Sequence, residues 1–193
     1  MQEQEAEQQK HSTQTLENII MKTMATLEEL QKKNAYWNSF GKAVCSALIA
    51  VLLVELAIVY FVPLEGHTFA RSLPWVTVMI LFAIVTMWMG NRLEQIFNVD
   101  TSKTLKESLT KTIADYRYTY RLWYIVYLFL FPAYFCAMIK LFLNPYWVLS
   151  TATTIWVCMV LTVLAFAGNY WYYKSKYDNR IKMLEENLKD LDN

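Results

Sequence analysis

Long uncharged stretches constrain this chain more than any other feature. From Ala43 to Val62 run twenty residues whose single charge is Glu55, and from Ser72 to Asn91 run twenty with none. After Arg121 the apolar character continues to Tyr173 with Lys140 as the sole charge, and Asn144-Pro145 divides that stretch in two. A helix rises about 1.5 Å per residue, so some twenty residues cover a hydrocarbon layer of about 30 Å. A soluble helical domain cannot hide four such runs, because almost no solvated helix face would remain. The sequence therefore predicts an all-α integral membrane protein with four transmembrane helices in two hairpins, prolonged into cytoplasmic helices. The segments are 1–41, an amino-terminal cytoplasmic helix; spans at 42–63, 73–90, 122–143 and 147–170; a cytoplasmic helical segment at 91–121; and a carboxy-terminal helix at 171–193. Pro74 is expected at the start of the second span, where a missing N–H is harmless.

The charges set the orientation. The chain has 18 Lys and Arg against 17 Asp and Glu, a net charge of +1, which offers no overall field for nucleic acid. Sixteen of the eighteen basic residues lie in 1–42, in 91–121 or after 173; only Arg71 and Lys140 do not. The positive-inside rule then places both termini and the middle segment in the cytoplasm of a multi-pass protein in the plasma (inner) membrane. Aromatic residues fit the same depths. Tyr36, Trp37, Trp88, Trp123, Tyr124 and Tyr170 to Tyr173 are expected as anchors at the cytoplasmic interface, and Tyr60, Trp75, Tyr146 and Trp147 at the outer one.

The polar segments carry helical seams. Leu16, Ile20, Thr23, Leu27, Leu30, Asn34 and Trp37 recur at spacings of four and three, and Tyr177, Ile181, Leu184, Leu188 and Leu191 do the same. Leu105, Leu109, Thr112, Tyr116 and Tyr120 form a third face, with Asp100-Thr101-Ser102 expected to cap its helix. Span four and the tail hold no Pro or Gly after Gly168, so they read as one helix of about 45 residues. The first fifteen residues have no apolar stripe and are expected to fray. Leu16, Ile20, Leu27, Leu30, Ile181, Leu184, Leu188 and Leu191 are the candidate seam for a protein partner or a second copy of the chain, if they do not cover one another.

Within the spans, Glu55 stands out, because a carboxylate in hydrocarbon costs several kcal/mol unless it is paired or faces the bundle interior. Lys140 lies at comparable depth, and Thr151, Thr154 and Tyr134 complete a candidate polar cluster. It reads either as a structural pair or as a site for proton or cation coupling. Pro132 predicts a kink in span three. Cys45, Cys136 and Cys158 are isolated, and His11 and His67 fall on opposite sides of the membrane. No nucleotide loop, metal motif or nucleophile motif occurs, so no cofactor and no soluble-type catalysis are expected.

The stretch YRYTYRLWY, Tyr116 to Tyr124, followed by Pro132 in the span, resembles small four-span proteins of Bacteroidetes-type bacteria that are often encoded beside extracytoplasmic-function sigma factors. The resemblance implies a membrane-anchored regulator whose cytoplasmic helices hold a transcription factor or another partner. Four spans with one Glu in the first also look like small multidrug resistance transporters, although those are compact and lack the polar helices. The leading expectation is a non-enzymatic membrane protein acting through its cytoplasmic helices, with a Glu55-dependent proton- or cation-coupled transporter as the alternative.

Overall fold

A computed structural model describes residues 2–62, 68–98, 104–143 and 149–190, and all the regular structure among them is helical. Helix α1 runs from Gln2 to Phe61, α2 from Phe69 to Ile96, α3 from Leu105 to Met138, α4 from Thr151 to Tyr173 and α5 from Asn179 to Asp190. Two wide π-helical turns, Ile139–Leu143 and Lys174–Asp178, prolong α3 and join α4 to α5. Four helices are long and apolar enough to cross a membrane. Their outward residues are the sort that hydrocarbon accepts and water does not: Val54, Ile58, Leu81, Ile84, Ile125, Phe129, Val163 and Leu164 are all exposed.

The sixty residues of α1 make one rod about 90 Å long at 1.5 Å per residue. Gly41 does not break it, and the polar first residues join it at Gln2 where fraying was expected; Gln, Glu, Ala and Lys are good helix formers. Helix α2 also departs from the sequence expectation. It starts at Phe69 rather than at Pro74, so the proline lies in the second turn, where it cannot donate to the Ala70 carbonyl. For α3 the cap is Thr104, whose hydroxyl accepts from the Glu107 N–H at 3.4 Å. The expected cap at Asp100 to Ser102 lies outside the described residues.

The join between α4 and α5 is the largest local difference. The sequence predicts one uninterrupted α-helix, and the structure inserts a wide turn at 174–178. Residues four apart in an α-helix drift by about 40° around the axis. A π turn, with its i→i+5 bonding, takes up that drift and holds Tyr173, Tyr177 and Ile181 toward the same interior.

Helix α1 packs on α2 and α5, α2 on α3, and α3 on α4 and α5. Two apolar cores result. The first joins Leu27 and Leu30 of α1, Phe97 after α2, Leu109, Ile113 and Tyr116 of α3, Tyr177 in the wide turn, and Ile181 and Leu184 of α5. The second lies at the opposite end and joins Leu52, Val76, Met79, Ala137 and Leu141, with Leu48, Leu56, Trp75 and Tyr134 packed against it.

Candidate functional site

The first core answers where the three seams go. Leu27, Leu30, Ile181 and Leu184 meet one another and the α3 face inside the chain, Leu188 packs against them, and Ile20 is half-buried. The side chains of Leu16 and Leu191 lie outside the described residues. Leu27, Leu30, Ile181 and Leu184 are therefore covered without a second molecule.

Polar groups cross this core at defined levels. The Asn187 amide donates to the Thr23 hydroxyl at 2.8 Å, and both side chains are buried. One level nearer the spans, the Tyr177 hydroxyl donates to Asn34 Oδ1 at 3.3 Å. Burial pushes the Tyr177 phenol up to about 12, so it stays a donor across the physiological range. Closer still, the Asn38 amide donates to Asn91 Oδ1 at 3.2 Å and to the Glu94 carboxylate, which also lies 3.8 Å from the Lys42 ammonium. A buried polar pair is satisfied in one register only, so each level fixes how α1 sits against α5 or α2. Gly90 of α2 makes room for the Asn38 side chain at the last level: a Cβ there would stand 2.4 Å from Asn38 Oδ1 and would push it aside. On the rim Arg180 pairs with Glu29, which raises the guanidinium pKa, and Arg117 pairs with Glu185.

Between the first core and the spans the helices leave a half-enclosed cavity of about 170 Å³. Eight of its eighteen lining residues are aromatic, Trp37, Tyr116, Tyr120, Trp123, Tyr127, Tyr172, Tyr173 and Tyr177, and the wall includes Asn34, Asn38, Thr86 and Thr119. The rings hold one another in place: Tyr120 meets Tyr124 and Tyr173 at centroid distances of 4.8 and 5.5 Å, and Trp123 meets Tyr127 and Tyr173 at 4.3 and 5.3 Å. Tyr127 is fixed further by a 2.7 Å hydrogen bond with Thr86. The aromatic set expected at the membrane interface thus divides. Tyr36, Trp88, Tyr170 and Trp171 are exposed, whereas Trp123, Tyr172 and Tyr173 line the cavity. Arg92 lies 5.7 Å from the Trp88 ring centre and 5.4 Å from that of Tyr118, an interfacial cation–π arrangement.

The intramembrane cluster is spread around the second core. Glu55 is half-buried and occupies the face of α1 that carries buried Leu52 and Val59, three residues before it and four after. Tyr134 packs on the same core, and Lys140 follows buried Ile139 in the wide turn. Thr154 is buried and gives its hydroxyl proton to the Ser150 carbonyl at 3.1 Å, while Thr151 is exposed. Among the described residues no group of three or more His, Cys, Asp or Glu could hold a metal ion.

Sequence reasoning passed over the cavity and the Asn38–Gly90 contact. The four-residue step from Tyr173 to Tyr177 and on to Ile181 carried a signal for the cavity, since it extends the tail seam back into the aromatic run. No known protein family, curated protein or solved structure matches the chain.

Proposed function

We propose that the chain is a non-enzymatic integral membrane protein of the inner membrane, both termini cytoplasmic, whose polar helices bind a protein partner in an assembly or regulatory role. The observation that supports this best is the continuity of α1, one helix shared by both cores. Any tilt of its span is carried rigidly to the polar end. Because Leu27, Leu30, Ile181 and Leu184 are spent inside the chain, the partner meets the outside of that bundle, where Met21 and Met24 are exposed among charged neighbours. The resemblance of Tyr116 to Tyr124 to sigma-factor-linked four-span proteins makes a transcription factor the partner class of choice. The excess of basic residues at this end supports its cytoplasmic side.

The test is photocrosslinking in intact cells. A photoreactive residue at 21, 32 or 182 is expected to give a discrete protein adduct, whereas one at 129 or 163 gives lipid adducts only. Absence of a protein adduct at all three polar positions would contradict the proposal, as would labelling of a single cysteine at 110 from outside the cell. Transport coupled to Glu55 is the alternative, favoured by its inward position beside Leu52 and Val59, and full retention of function in Glu55→Gln would exclude it.

A further inference from the structure

The aromatic cavity has unmet chemistry. Asn34 Nδ2 and Thr119 Oγ1 both belong to its wall, and neither has a hydrogen-bond partner among the described residues. Both side chains are deeply buried, with Asn34 only 4% and Thr119 only 3% exposed. Buried donors are normally paired, because leaving one unmade forfeits its hydration for nothing. Asn34 cannot turn its N–H groups elsewhere without losing the bond that its Oδ1 accepts from Tyr177.

The wall chemistry narrows what fills the space. Aromatic faces alone would attract a cation, but no Asp or Glu lines the wall and its one charged residue is Lys42, so a cationic ligand meets a like charge. That ammonium is half-exposed and already near Glu94, which is too little for a phosphate. An acyl chain would leave both donors unpaired. An enclosed cavity of about 150 Å³ holds one benzene ring, so a half-open one of about 170 Å³ seats a single ring whose substituents reach into its mouth. Flat aromatic walls favour a planar ring by stacking. We propose that this cavity binds a neutral, membrane-soluble ring carrying carbonyl oxygens, of the quinone type, with Asn34 Nδ2 and the Thr119 hydroxyl donating to those oxygens. The cavity lies where the spans end, within reach of a molecule dissolved in the bilayer. Its wall draws on α1, α2, α3 and α4, so an occupant braces the spans against the polar bundle. This assignment stands independently of the partner-binding proposal.

Duroquinone and durene provide the test, since both are flat six-carbon rings with four methyl groups and only the quinone carries carbonyl oxygens. The full chain in lipid nanodiscs is titrated with each by calorimetry, with protein-free nanodiscs subtracted. Saturable one-to-one binding of duroquinone is expected, with durene about tenfold weaker. Thr119→Val keeps the side-chain volume, removes the hydroxyl, and is expected to weaken duroquinone binding about 3- to 10-fold, while Thr119→Ser stays near the parent. Equal affinity for the two rings, absence of saturable binding, or an unchanged affinity in a folded Thr119→Val protein would overturn the proposal. If the valine variant fails to fold, the comparison of the two rings on the parent chain decides alone.

Discussion

The two cores of this molecule are built from different materials. Around the polar end, Leu27, Leu30, Ile181 and Leu184 pack with Phe97, Tyr116 and Tyr177, and buried Thr23, Asn34 and Asn187 cross between helices. Among the spans the core is mainly aliphatic: Leu52, Val76, Met79 and Leu141 meet Ala137, with Trp75 and Tyr134 packed against them, and Ala83 is likewise fully buried. The contrast follows from the solvent on each side. In water, large apolar side chains and aromatic rings gain most by leaving the surface. Lipid is as apolar as leucine, so helices there gain from close packing rather than from leaving water. One continuous helix, α1, serves both regimes and changes its inward residues from Leu27 and Leu30 to Cys45, Leu52 and Val59.

The largest expected effect sharpens the comparison at its most polar point in the spans. Glu55 and Lys140 are expected from their depth to act as partners, and removing one member of a buried pair costs about 3 to 5 kcal/mol while removing both is often nearly neutral. Glu55→Leu should therefore lower the melting temperature in detergent, and Glu55→Leu with Lys140→Leu should recover much of the loss. Strict additivity of the two single losses would show that the pair does not exist. Next come two leucines, each 0% exposed. Leu30→Ala at the polar end should cost about 2 to 5 kcal/mol. Leu52→Ala among the spans gives up packing but little hydrophobic transfer, on the order of 1 to 2 kcal/mol. Equal losses in denaturant titrations would break the distinction between the cores. The smallest effect separates two glycines. Gly90→Ala brings a methyl against the oxygen of the Asn38 side chain, which must shift from its hydrogen bonds, and should destabilise by about 1 kcal/mol. Gly168→Ala meets nothing within 4 Å and should stabilise by about 0.5 to 1 kcal/mol through helix propensity, read in the same titrations.

The helical content, the four long apolar helices and the residues of the polar core were legible because all three depend on the run length or the periodicity of apolar residues. Leu27, Leu30, Ile181 and Leu184 are spaced as a seam, and a seam must be covered by something. What covers it depends on how separate helices meet, and a one-dimensional pattern holds no information on that. The aromatic run was legible as a set but not as directions, since the wide turn at Lys174–Asp178 brings Tyr177 to the same interior as Tyr173 and no Gly or Pro marks it. The Asn38–Gly90 approach joins residues 52 positions apart, each unremarkable alone. Pro74 was misplaced because a proline in the second turn of a helix looks, in sequence, like one at its start.

The central claim is that the polar seams are satisfied within one chain. Thr23 and Asn187 test it most directly, being hydrogen-bonded to each other across the core at 2.8 Å. In a background free of other cysteines, Thr23→Cys with Asn187→Cys, treated in native membranes with a short bismaleimide, is predicted to give a cross-linked monomer of altered mobility on a denaturing gel. Cross-linking that instead yields covalent dimers, with each singly substituted chain joined to its counterpart when the two are co-expressed, would show that the seam is shared between molecules and would contradict the account.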